Sequence, residues 1–270
     1  MKRILKLNKD IGETPLQVIQ KYKRENPKYK DIKMAYAGRL DPLAEGKLLI
    51  LVGDECKQRE KYHQLDKEYE FEVLIGFKTD SGDPLGLVLE TKRTKKISEA
   101  EIKNIEKDIL KITKMKYPIF SSKYVKGKTL FAWYFLGKIN EIKIPSRNII
   151  IHDFKFINER FVDKGNLIKE LYNRIFSFPK IDNPKLAWGK DFRRKEIWDK
   201  WKEVLNKYDN NTQFQILKFK ATVSSGTYMR VLAELVAEKL NSVGLAISIK
   251  RTKIGKVFTI LNYVFWWKRF

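Results

Sequence analysis

Tyr36-Ala37-Gly38-Arg39-Leu40-Asp41-Pro42-Leu43-Ala44-Glu45-Gly46, followed by Lys47-Leu48-Leu49-Ile50-Leu51-Val52-Gly53, joins a stiff turn to an apolar run. Gly38 and Gly46 accept backbone angles closed to other residues, and Pro42 restricts the chain directly after Asp41. Leu48–Val52, closed by Gly53, has the pattern of a short buried strand. A carboxylate held on a rigid turn at the edge of a core strand is placed for chemistry. The same residues also fit an Asp-Pro turn in which Asp41 only caps a local amide, a common arrangement.

Working outward, residues 2–7 alternate charged and aliphatic side chains and predict a first strand, and Thr14-Pro15 opens a helix as cap and first residue. Glu70–Ile75 alternates and stops at Gly76, and a further strand is expected at Leu85–Leu89, beyond the turn-forming Thr79–Pro84. Ser98 and Glu101 form a capping box ahead of Ile102, Ile105, Ile109 and Ile112, which predicts one amphipathic helix. Strands are expected at Ile149–Phe156 and Phe214–Val223, a helix at Thr227–Leu240 and a closing strand at Ala246–Ile249. Residues 158–212 break this rhythm. They hold the Trp188-containing stretch Lys185–Lys190 and a charged helix over Lys190–Lys207, with Trp198 and Trp201 on one face. That segment reads as an insertion into the sheet. The predicted class is α+β, a mixed and mostly antiparallel central sheet with flanking helices.

The chain carries 56 Lys and Arg against 33 Asp and Glu, a net charge of +23, together with 16 Phe, 12 Tyr and 6 Trp. A basic surface interleaved with flat rings suits a polyanion that offers faces for stacking, as nucleic acid does. Cys56 is the only cysteine, which excludes an intrachain disulfide and fits a reducing, cytoplasmic setting. No apolar run approaches the roughly 20 residues that span a bilayer, and the N-terminal residues lack a secretory pattern, so no membrane partner is expected. His63 and His152 stand outside any ligand-spaced cluster, so no metal is expected.

The stretch from Gly38 to Lys57 resembles the catalytic loop and following strand of the TruB-type tRNA pseudouridine-55 synthases. Other segments resemble the same family in the same order: Lys9–Gly12 with Thr14, Lys67-Glu68-Tyr69, Gly76–Asp83, Ser224–Arg230, and Ile249-Lys250-Arg251. The resemblance covers about residues 3–255 and implies the pseudouridine synthase fold as one catalytic domain over residues 1–270. It implies an isomerase that flips a T-loop uridine (position 55) out of tRNA and re-attaches its base through carbon. With no net redox change, no cofactor is expected. Asp41 matches the family's essential aspartate, Arg230 would pair with it, and Tyr69 would stack on the flipped uracil.

The resemblance further implies a thumb-like RNA-binding insertion at residues 117–146, in which Phe120, Lys123, Tyr124, Lys126 and Lys128 combine rings and charge. Lys9, Tyr36, Arg39, Lys250 and Arg251 complete the expected RNA-binding set. Tyr36 stands where many bacterial members carry a histidine, Arg39 where Ser or Thr is usual, and Asp10 where a proline is expected. The stretch after Arg251 is too short for the PUA domain that often follows in this family, so its absence is expected, as is a monomer. Residues 158–212 exceed the common bacterial pattern. They are expected either to touch RNA through Lys190, Arg193, Arg194 and Lys195 or to elaborate the scaffold. Two other readings stay open: a non-catalytic tRNA-binding or folding module, which would not need Asp41, and the same chemistry on another RNA.

Overall fold

The computed structural model describes residues 2–92, 95–177, 191–260 and 263–270. The first half of the chain forms β1 (Ile4–Lys9), α1 (Pro15–Glu25), β2 (Met34–Ala37), β3 (Ala44–Val52), α2 (Arg59–His63), β4 (Asp66–Ile75), β5 (Phe77–Thr79), β6 (Val88–Thr91), α3 (Glu99–Asn104), α4 (Glu106–Leu110) and β7 (Lys114–Lys116). There follow β8 (Tyr124–Val125), β9 (Lys128–Thr129), α5 (Leu130–Phe135), β10 (Ser146–Asn148), β11 (Ile151–Asp163), α6 (Lys164–Ile175), α7 (Arg194–Leu205), β12 (Gln213–Val223), α8 (Met229–Lys239), β13 (Gly244–Ile260) and β14 (Tyr263–Arg269). The class is α+β, as expected.

The main sheet runs β1-β3-β13-β4-β12-β11, with β2 added to β3 and β14 to β13. Every pairing in it is antiparallel except the short β3–β13 contact, where Ile249, Lys250 and Arg251 run beside Ala44, Glu45 and Gly46. The period-2 side-chain alternation of strands divides the core by face. On one face Phe71 and Val73 of β4 and Leu217, Phe219 and Ala221 of β12 pack with Ile102 and Ile109 and with Leu232, Ala233 and Val236 of α8. On the other, Leu74, Ile216, Leu245 and Ile247 pack with Leu167 and Leu171 of α6 and Ile197 and Trp201 of α7.

Several boundaries differ from the sequence reading. The strand expected at Leu85–Leu89 begins only at Val88. The side chains of Asp83 and Asp80 take the amides of Leu85 (2.9 Å) and Leu87 (3.0 Å), which keeps those residues in the turn. The single helix expected after Ser98 is two short helices meeting at Ile105, and Glu106 there accepts from the Phe156 amide where β11 changes register. Residues 158–163 continue β11, paired residue by residue with β12, so the excursion starts at α6. The closing strand runs on to Ile260, and Lys253 within it is neutralised by Glu68 at 2.7 Å.

Candidate active site

The turn carrying Asp41 is gripped from beneath by two buried cations. Lys9 donates to the carbonyls of Asp10 (3.0 Å), Pro42 (3.2 Å) and Ala44 (2.6 Å). Arg251 donates to those of Lys47 (2.7 Å), Arg39 and Gly38 (both 3.3 Å). Carbonyls on both sides of Asp41 are thereby fixed. Lys9 and Arg251, both expected to bind RNA, are buried with their donors on the chain's own backbone carbonyls, and Arg251 also lines the pocket described below. Desolvation by burial lowers the Lys9 pKa to about 8. Gly46, at φ +104, lies so close to Arg251 that a Cβ would collide with its backbone, which is why β3 and β13 meet at a glycine.

The opposite wall comes from the Ser224–Tyr228 turn and the first turn of α8, where a sheet-to-helix junction aims Arg230 back at the β2–β3 turn. Arg230 Nε donates to Asp41 Oδ2 at 2.8 Å; the Arg230 side chain is 4% exposed and that of Asp41 38%. The other guanidinium nitrogens donate to the carbonyls of Ser81 (2.7 Å) and Phe120 (3.0 Å), and Asp83 Oδ2 lies 3.7 Å from Nε. Burial opposes the Arg230 charge, but Asp41 and Asp83 outweigh it and hold its pKa above the ordinary arginine value. The guanidinium is thus locked on three sides and presents one edge to a carboxylate that opens to solvent.

Asp41, Arg230 and Tyr69 line one pocket of about 740 Å³. Tyr69 projects from β4, the central strand, so its ring is held by the sheet itself. Arg39 and Phe120 line the same pocket, whereas Tyr36 does not; it is half-buried in β2, with the Arg59 guanidinium 5.3 Å from its ring centre. Lys250 is exposed on β13, 3.6 Å from Glu45. Tyr124, Lys126 and Lys128 are exposed on the β8–β9 hairpin, and Lys123 rests its ammonium 5.1 Å from the centre of the Tyr117 ring.

Of the two readings held for residues 158–212, Arg193 and Arg194 fit the scaffold one. Arg193 pairs with buried Asp80 at 3.0 Å, and buried Arg194 pairs with Asp191. Lys195 is exposed and pairs with Asp199 at 2.9 Å. Lys190 and the Lys185–Gly189 stretch lie outside the described residues.

Lys67 and Tyr228, which stand inside the quoted motifs but were assigned no role, and Arg147, which lies outside them, also line the pocket. Lys67 is two positions before Tyr69 on the same strand face, so period-2 spacing beside a candidate site was the available signal. Burial lowers its pKa to about 7, and the nearby Arg251 acts in the same direction. Burial, and then the charge of Asp41, raises the Tyr228 phenol. Arg147 lies across Gly226, where a Cβ would overlap its guanidinium, and its buried Nε has no hydrogen-bond partner among the described residues. Only the tertiary pairing of β10 with β7 brings it there. Among the described residues, no cluster of His, Cys, Asp and Glu is placed to hold a metal ion, and no helix is long and apolar enough to cross a membrane.

Residues 24–164 match the family model described as TruB family pseudouridylate synthase (N terminal domain). The tRNA pseudouridine synthase 4 of Saccharomyces cerevisiae is 28% identical over 82% of this chain and 60% of its own length. The tRNA pseudouridine synthase B of Caldicellulosiruptor saccharolyticus is 28% identical over 96% of this chain and 69% of its own. The chain thus spans three-fifths to two-thirds of the length of these relatives. Among solved structures, a chain of a Cbf5-Nop10-Gar1 complex superposes with a TM-score of 0.54 at 13% identity, over 93% of this chain and 48% of that one, a likeness of fold. With the matching model reaching from α1 into α6, the chain belongs to the TruB family of pseudouridylate synthases.

Proposed function

We propose that the chain is a tRNA pseudouridine synthase that isomerises a T-loop uridine, position 55, with Asp41 as the essential carboxylate. The observation that carries this reading is the 2.8 Å Arg230–Asp41 pair, buried on the arginine side and open to a pocket on the aspartate side. The isomerisation breaks the N1–C1′ bond, turns the uracil and forms C5–C1′, with the C5 proton lost and N1 protonated. An oriented anion facing the sugar serves that sequence, either by attacking covalently or by stabilising the sugar and removing a proton as the base leaves. A pocket of about 740 Å³ has room for an everted nucleotide, whose extrusion costs a few kcal/mol. Tyr69 offers the ring on which the uracil stacks, and the exposed thumb residues Tyr124, Lys126 and Lys128 offer contacts to the RNA around it.

Incubation with an unmodified tRNA transcript, followed by mapping of pseudouridine, tests reaction and position together. Wild-type protein is expected to convert the T-loop uridine. Asp41→Asn is expected to lower turnover at least about 10³-fold while tRNA affinity stays within a few-fold, the pattern of a group that acts in the transition state. Full turnover by Asp41→Asn overturns the assignment of the carboxylate, and modification of a different uridine overturns the position.

A further inference from the structure

Asp80 and Arg193 form an ion pair away from the pocket, with side chains only 4% and 8% exposed. Arg193 immediately precedes α7 and is held at φ +61, an angle that costs a non-glycine residue and aims the side chain inward. Its Nη1 donates to Asp80 Oδ2 (3.0 Å) and to the Tyr134 hydroxyl (3.2 Å), and that hydroxyl donates to the same Asp80 oxygen (2.7 Å). The guanidinium carbon lies 5.1, 5.4 and 5.5 Å from the ring centres of Phe120, Tyr134 and Phe135. All three rings belong to the 117–146 segment. Asp80 Oδ1 accepts from Leu87, which keeps the Thr79–Leu87 turn closed.

Three chain segments far apart in sequence therefore converge on one buried charge. Two of them also hold Arg230, which donates to the Ser81 and Phe120 carbonyls. Among the described residues, β8 and β9 of the 117–146 segment pair with each other and not with the main sheet, and α5 is six residues long. A hairpin and helix that small do not hold a position by themselves.

We infer that the helical excursion between β11 and β12 is a clamp, in which Arg193 fixes the base of the 117–146 segment against the Thr79–Leu87 turn before any RNA is bound. Arg193 is a positioning residue. It does not line the Asp41 pocket and acts through Phe120 and Tyr134. A pre-seated thumb removes the ordering cost from RNA binding, so its loss appears in KM rather than in the chemical step. The kinetic consequence rests on the RNA-modifying reading; the structural one does not.

Hydrogen exchange of the RNA-free protein tests the clamp independently of any activity. In Arg193→Met the amides of Leu130–Phe135 are expected to exchange about tenfold faster while those of β4 and β12 are unchanged, as for local rather than global opening. Tyr134→Phe keeps the ring and the ion pair but removes the bridging hydroxyl. A shift of about two- to threefold at the same amides is expected, and this variant decides the matter if Arg193→Met does not fold. With tRNA, KM is expected to rise about five- to tenfold and kcat to stay within about twofold. Unchanged exchange at Leu130–Phe135 in the folded variants, or acceleration shared equally by β4 and β12, overturns the clamp. Changed exchange in a protein that modifies no RNA overturns the proposed reaction and leaves the clamp standing.

Discussion

Lys67 and Lys9 are both buried lysines whose donors face backbone carbonyls, yet they differ in the number of acceptors. Lys9 has three, one for each N–H of an ammonium; Lys67 has two, the carbonyls of His63 (2.7 Å) and Leu65, one for each N–H of a neutral amine. The lower pKa of Lys67, about 7 against about 8, follows the same order. The sign of the stability effect follows from the depressed value. Between about pH 7 and 10 the unfolded chain binds a proton at Lys67 that the folded chain does not, so the penalty is full below that window and is relieved as pH rises. Urea unfolding across pH 7.5–9.5 is expected to show wild type gaining on Lys67→Met by on the order of 1 kcal/mol per pH unit. Parallel pH profiles would mean that Lys67 stays charged in the folded protein. Other titrating groups, Lys9 included, cancel in the comparison.

At the scale of the element, the β8–β9 hairpin turns through Lys126 (φ +47) and Gly127 (φ +79), two left-handed residues in succession, which is the geometry of a tight two-residue hairpin. A lysine in that position accepts backbone strain while its charge stays at the exposed tip. Lys128 lays its ammonium 5.3 Å from the centre of the Trp133 ring, and Trp133 in turn donates to the Val125 carbonyl at 2.8 Å, tying hairpin to α5. Replacing Lys123 and Lys126 with alanine is expected to weaken tRNA binding and to reduce the slope of log affinity against log salt by about one for each phosphate no longer engaged. Titrations at several salt concentrations check this, and an unchanged slope removes those two residues from the RNA interface.

For the whole molecule, the central sheet has two demanding faces. One is covered by α3, α4 and α8; on the other, among the described residues, Leu74, Ile216, Leu245 and Ile247 pack with α6, α7 and Phe77 and Val88 of the β5–β6 pair. Trp201 sits fully buried at the centre of that second layer, 5.4 Å ring to ring from Phe77, with its indole N–H on the Pro84 carbonyl at 3.2 Å. Arg160 bridges Glu72 of β4 and Glu170 of α6 in the same layer. The excursion is therefore part of the core. Trp201→Ala is expected to destabilise the protein by about 4 kcal/mol, through reduced burial and the cavity left behind. A fall of less than about 1 kcal/mol in denaturant unfolding would show that the layer collapses over the gap or was peripheral.

The local patterns were sufficient for much of this protein. Alternation marked the strands at Glu70–Ile75 and Phe214–Val223, and the Thr14 and Ser98 caps marked helix starts, because each depends on residues adjacent in the chain; Asp41, Tyr69 and Arg230 were singled out by the family resemblance, and the fold brings the three to one pocket. Tertiary structure alone decided what a basic residue does. Lys9, Arg193, Arg194 and Arg251 carry the same charge as Lys126 and Lys250, and nothing in their neighbours along the sequence separates the two groups. The difference is what the fold brings against them: carbonyls of a turn, a carboxylate with a buried partner or a set of rings for the first, an open surface for the second, where Lys250 meets only the partly exposed Glu45 among the described residues. A cation's role is set by its desolvation and its acceptors, and both are supplied by whichever segments the fold packs against it, however distant along the chain.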